Sequence, residues 1–256
     1  MIETLNIWLN AHIGLELLPF LSVCLIVASA AFVRGLTGFG YAILSVPLIS
    51  LVSEPAVAVL MAILMQLIIG PFGVKQSRGV IDRPMVTKIA ALACLTTPVG
   101  LWLLDIVAVD IARVILTAIA IGSFFAIMMK RPQALNVSRL NVLMVGTIAG
   151  LLNGFAAMPG PPIVLHFVRK QVAPAVSRAS MIMIFFATAA MATAVAFWRG
   201  MVDKELMVLT AMTCPLMIGG NHLGAKYFGA VSEPVWRAIV AALLAVSAIV
   251  ALIKLF

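Results

Sequence analysis

With 256 residues, 64% of them apolar and only 10% charged, and with a mean hydropathy of +1.19, the chain is not that of a soluble enzyme. Ordinary globular domains are about 45–50% apolar and about 25% charged, and a water-soluble fold cannot hide the excess that a bilayer absorbs. The net charge of +8 does not point to nucleic acid, because the basic residues sit in short loops between apolar runs and no basic face carries interleaved aromatics.

The first apolar run, 17–33, follows no Lys/Arg cluster and ends in no small-residue cleavage site, so it is expected to be a retained transmembrane helix and not a cleaved signal. Further runs of bilayer length follow at 55–72, 85–104, 111–129, 179–197, 206–222 and 235–255, all predicted as helices. Three shorter pieces lie between them, near 41–52, 140–152 and 161–168. The last is too short to cross about 30 Å of hydrocarbon at about 1.5 Å per residue. Short helices beside Gly/Pro-rich breaks predict re-entrant or discontinuous segments, which survive only where protein or water covers their backbone. Cys24, Cys94 and Cys214 lie inside apolar runs with no CxxC or Cys/His cluster, so they read as packing residues; neither a metal nor a cofactor is expected.

Loop charge orients the chain. The 73–84 loop carries Lys75, Arg78 and Arg83 against Asp82, the 130–139 loop Lys130, Arg131 and Arg139, and the 168–178 loop Arg169, Lys170 and Arg178. Cytoplasmic loops are enriched in Lys and Arg. These three are therefore expected inside. The N-terminus with Glu3 and Glu16, the turn at Glu54 and the Asp105/Asp110 loop are expected outside a multi-pass inner (plasma) membrane protein.

One transmembrane domain of two related halves, about 12–131 and 138–256, is predicted from internal echoes. Arg78-Gly79-Val80-Ile81-Asp82 recurs as Arg199-Gly200-Met201-Val202-Asp203. Pro98 with Gly100 recurs as Pro215 with Gly219, Arg113 as Arg237, and the spacing of Gly40 and Pro47 as that of Gly154 and Pro161. Each half holds an odd number of crossings, so the halves enter from opposite faces. The expected fold is an all-α integral membrane protein of two inverted-topology repeats, each a broken or re-entrant helix pair followed by three transmembrane helices. That plan places a substrate near the midplane where the broken helices meet.

The candidate site lies at those breaks, read over Val33–Tyr41 and Gly150–Pro162. From the first come Arg34, Gly35, Thr37, Gly38 and Gly40; from the second and its sequel come Asn153, Gly154, Gly160, Pro161 and His166. Glycine permits positive φ and close backbone approach. Helices starting near Tyr41 and Pro161 would each aim a positive dipole end and free N–H groups at the break, which suits an anion. Arg34, with no acid nearby in sequence, fits an oxyanion if it lies at membrane depth, and otherwise snorkels to the cytoplasmic face. The glycines also suit close helix packing, Thr37 and Asn153 helix capping, and His166 a satisfied role in a packed helix. Gln66 either lines the cavity or bonds a neighbouring helix, and Arg113 reads as an interfacial anchor. All nine acidic residues fall in or beside loops, which disfavours a proton relay or cation carrier. No paired Asp, HExxH, or Ser with Lys or His in register is present, so no catalytic residue is assigned.

The stretch AFVRGLTGFGYAILSVPLISL followed by RGVID resembles the first half of the TauE/SafE family of sulfite exporters, and GLLNGFAAMPGPPIVLHFV followed by RGMVD resembles the opening of its second half. The second break reads AAMPGPP where a denser glycine run is common. The resemblance implies an integral membrane transporter that moves sulfur oxyanions or organosulfur anions such as sulfite, thiosulfate or sulfonates. With the inverted repeats and an inside-negative potential, export by alternating access between the halves is expected. The partners expected are that anion and the lipid bilayer, with no nucleic acid; monomer and homodimer both stay open. An intramembrane enzyme and a non-transporting membrane assembly factor are the alternatives.

Overall fold

A computed structural model describes residues 2–76, 81, 83–128 and 139–227. They form α1 (Ile2–Ile13), α2 (Leu17–Thr37), α3 (Tyr41–Ile49), α4 (Pro55–Gln76), α5 (Arg83–Ile106), α6 (Val109–Met128), α7 (Arg139–Ala156), α8 (Gly160–Arg169), α9 (Pro174–Trp198) and α10 (Lys204–Lys226), with no strand among the described residues. Five of these helices are long and apolar enough to cross a membrane, at Leu17–Thr37, Pro55–Gly73, Arg83–Ile106, Ala175–Trp198 and Lys204–Lys226. Among the described residues they leave large apolar side chains such as Leu18, Leu25, Leu95 and Trp198 exposed, as helices that cross a membrane do. The protein is thus all-α and multi-pass. The run at 235–255, Arg237, the 130–138 stretch, and Arg78–Val80 with Asp82 lie outside the described residues.

Helix α1 was not among the expected elements. It packs on α10 and α2 through buried Leu9 and Ile13, and Asn6 Oδ1 accepts the backbone N–H of Leu17 at 2.8 Å. That bond satisfies one of the orphan donors opening α2, where Glu16 makes no side-chain cap.

Both breaks are shorter than the glycine content suggests. Helix α2 runs through Arg34, Gly35 and Thr37, leaving Gly38–Gly40 as the break; α7 runs through Asn153 and Gly154, leaving Ala157–Pro159. The turns are alike. Gly38 N–H donates to Arg34 O at 2.7 Å and Ala157 N–H to Asn153 O at 2.8 Å, each donor residue in the left-handed region with φ of +84° and +56°.

Several helical glycines serve backbone approach. α2 crosses α10, and α7 crosses α5. A methyl added at Gly35 would stand 2.8 Å from Gly224 Cα, and one at Gly100 would stand 2.9 Å from Gly154 Cα. Close backbones let dispersion and weak polar contacts drive association where the hydrophobic effect is absent. In these contacts Gly35 stands to Gly224 as Gly154 stands to Gly100. The separation of Gly35 from Gly154 recurs between Thr37 and Ala156 at the ends of α2 and α7, Tyr41 and Gly160 at the starts of α3 and α8, and Pro55 and Pro174 at the starts of α4 and α9.

Among the described residues, nothing lies within 4 Å of a methyl added at Gly122 in α6. Gly122→Ala is therefore expected to leave the thermal unfolding midpoint in detergent at or slightly above the wild-type value. A clear drop would show that α6 packs more tightly at that point.

Candidate functional site

The two breaks meet at one cavity. Its walls are Arg34 and the start of α3 (Gly40 to Ile43) on one side, and Met158 to Pro161 at the start of α8 on the other. Gln66 and Phe185 complete it from near the middle of α4 and α9, which puts it at mid-depth of two spanning helices. The spacing from Gln66 to Phe185 equals that from Pro55 to Pro174, so the two occupy equivalent positions. The cavity volume is about 20 Å³, room for a single water-sized group.

Arg34 is buried, 8% exposed, and its Nη1 donates to Asn221 Oδ1 on α10 at 2.9 Å. The ion pairs among the described residues are Arg113–Asp110 and Arg199–Asp105, both away from the cavity. A buried guanidinium whose hydrogen-bond partner is a neutral amide leaves its charge uncompensated, a costly arrangement in a low-dielectric setting.

The two helix starts differ in chemistry. Gly40 opens α3 with φ of +91° and no side chain caps its first turn, so the N–H groups of Tyr41, Ala42 and Ile43 have no intrahelical acceptor. Helix α8 opens with Gly160, Pro161 and Pro162. Proline fits the first turn because its φ is preset, but it brings no N–H. The expectation of two matching arrays of backbone donors is corrected accordingly: α3 presents three amides, whereas in the opening turn of α8 only Gly160 retains one. Among the described residues, Tyr41 Oη and Ser45 Oγ, a turn apart on α3, are buried with no hydrogen-bond partner.

Of the residues singled out from sequence, Arg34, Gly40, Gly160 and Pro161 line the cavity. Gly35 and Gly154 lie in the helix crossings. Thr37 Oγ1 donates to Phe39 O at 2.6 Å and accepts from Phe39 N–H at 3.2 Å, holding the turn of the first break. Gly38 lies under the Arg178 side chain. Asn153 Nδ2 donates to Thr188 O at 3.1 Å and to Thr97 Oγ1 at 3.4 Å. His166 is buried in α8, does not line the cavity, and its Nε2 has no hydrogen-bond partner.

Three further residues belong to this region. Gln66 does both things its lone position allowed: it lines the cavity, and its Nε2 donates to Ala157 O at 3.1 Å, tying α4 to the second break. Asn221 holds Arg34. Arg178 Nη2 donates to Gly35 O at 3.2 Å, so a residue counted among loop charges reaches the first break from the second turn of α9. Arg113 does more than anchor at the interface: its Nε donates to Ser50 O at 2.7 Å, closing the C-terminal end of α3. Among the described residues no group of three or more His, Cys, Asp or Glu is placed to hold a metal ion.

The family model described as "Sulfite exporter TauE/SafE" matches residues 23–251. A relative from Cupriavidus necator named "Probable sulfite/organosulfonate exporter TauE" is 24% identical over 217 residues, covering 82% of this chain and 85% of the relative. No solved structure matches.

Proposed function

Because the chain belongs to the sulfite exporter TauE/SafE family, we propose that it carries small sulfur oxyanions or organosulfonates out across the inner membrane, by alternating access between its two halves. The observation that carries this reading is Arg34, a cation buried at mid-depth beside the uncapped start of α3 with only a neutral hydrogen-bond partner. An oxyanion placed there supplies the missing negative charge and accepts bonds from the guanidinium fork and from the Tyr41, Ala42 and Ile43 amides. Arg34, Gly40, Gly160 and Pro161 touch the anion. Gly35, Thr37, Gly38, Asn153 and Gly154 shape the two breaks, and His166 takes no part in binding.

A cavity of about 20 Å³ is too small for sulfite. The α3 and α8 starts must therefore separate to admit an anion. Rocking of one inverted half against the other opens the same point to one face and then the other. With the N-terminus outside and the basic 168–178 loop inside, an inside-negative potential drives the anion outward at about 2.3 kcal/mol per charge per 100 mV. The family favours transport over an intramembrane enzyme or an assembly factor, since its members are described as exporters.

Purified protein in sulfite-loaded, inside-negative proteoliposomes is expected to show potential-driven sulfite efflux, slowed by thiosulfate or a small sulfonate. Folded, inserted protein that moves none of the three anions would overturn the assignment.

A further inference from the structure

We propose that Asn221 is a positioning residue for the transported anion: it fixes the Arg34 guanidinium at the cavity wall while leaving its charge for the substrate to neutralise. This inference rests on the anion-transport reading above and deepens it at a residue that reading does not need.

The geometry comes from the two helix crossings. Arg34 precedes Gly35, which meets Gly224; Asn153 precedes Gly154, which meets Gly100. Three residues before each of the glycines met lies the polar partner, Asn221 before Gly224 and Thr97 before Gly100. Each crossing therefore carries one side-chain bond at the same place, Arg34 to Asn221 at 2.9 Å and Asn153 to Thr97 at 3.4 Å. In the α5–α7 crossing both partners are neutral, and Asn153 is tied further to Thr188 O on α9. In the α2–α10 crossing one partner is a cation.

The usual partner of a buried arginine is a carboxylate. Aspartate has the shape of asparagine and would reach Arg34 equally well, but it would cancel the charge. Among the described residues, the ionisable neighbours on the other packed elements do not cancel it either: they are the Tyr41 hydroxyl on α3 and the like-charged Arg178 on α9. Asn221 thus accepts one of the five guanidinium donors, which fixes the fork and leaves the remaining donors and the full positive charge available. Among the described residues, the matching crossing holds a neutral pair where the α2–α10 crossing holds a cation, so the anion site is assigned to the Arg34 side.

The test uses the full chain in proteoliposomes, reading the KM and maximal rate of sulfite efflux together with the thermal midpoint. Asn221→Asp is expected to raise KM roughly tenfold or more, because the new carboxylate competes with the substrate for a charged hydrogen bond, while the midpoint stays level or rises. Asn221→Ala is expected to raise KM less and to lower the midpoint. Asn221→Thr, which restores the oxygen acceptor found at Thr97, is expected to lie nearest the wild type. An Asn221→Asp protein with wild-type KM overturns the inference while leaving anion transport in place. So does a series whose midpoints all fall while KM stays constant, the mark of a packing contact alone. Should Asn221→Asp fail to fold, the comparison decides: Ala must raise KM and Thr must not. A wild type that moves no sulfite, thiosulfate or sulfonate removes the transport assignment, and this one with it.

Discussion

Arg34→Ala is expected to reduce sulfite efflux to the level of protein-free vesicles while leaving the folded protein as stable as the wild type, or more so. The two halves of that expectation share one cause. A hydrogen bond to a charged group contributes about 1.5–3 kcal/mol, so losing a two-pronged guanidinium contact costs at least roughly a hundredfold in affinity for the anion. Without the anion, the same guanidinium is a buried charge held by a neutral amide, and its removal relieves desolvation cost. Arg34→Lys keeps the charge but not the planar fork, so a small measurable flux with a raised KM is expected from it. Flux assays paired with thermal unfolding separate these outcomes. Wild-type efflux from the alanine variant would place the anion elsewhere.

Gly154→Ala is expected to be the most damaging single-methyl change among the described helices. The added carbon would run into Thr97 O, and would lie 2.5 Å from Leu101 N and 2.8 Å from Gly100 C. All three are backbone atoms of α5, so no side chain can rotate aside and the two helices must separate. Overpacking of this kind costs about 1–3 kcal/mol and occasionally more, and the rigid neighbours place this site at the upper end. Gly35→Ala meets the same obstacle at α10, where Asn221 O and Gly224 Cα at 2.8 Å stand in the way. Thermal unfolding in detergent should show large drops for both, against little change for Gly122→Ala. Equal midpoints for Gly154→Ala and Gly122→Ala would mean that α5 and α7 are not in backbone contact.

Much of the fold was legible because a membrane reduces the alternatives. The spans at 17–33, 55–72 and 179–197 appear as parts of α2, α4 and α9, and the short pieces near 41–52 and 161–168 appear as α3 and α8. The edges of the breaks were not legible. Glycine in a turn and glycine in a helix crossing look the same in one dimension, so Gly35 and Gly154 were assigned to breaks although both are helical. Asn221 escaped for a different reason: its bond to Arg34 spans 187 positions, and no local pattern encodes that meeting. Arg178 reads as loop charge because it precedes the apolar run at 179–197, whereas α9 already starts at Pro174 and sets it in the second turn, beside Gly38. The Pro161-Pro162 pair marks a helix start in the sequence and at the same position removes two of its backbone donors.

Those two prolines bear on how long an anion stays. On the proposed reading, an anion seated at the start of α3 is held by three N–H groups and Arg34 on one flank, and across the cavity by the single amide of Gly160, because Pro161 and Pro162 bring no backbone donor. Departure is then expected to break most of its contacts on one flank, whichever face of the membrane is open. Two matched arrays would bind more tightly and release more slowly, and a carrier that cannot let go is an inhibitor of itself. On that reading the second half of the chain, in giving up amide donors at its helix start, is expected to shorten the residence time and so to quicken turnover.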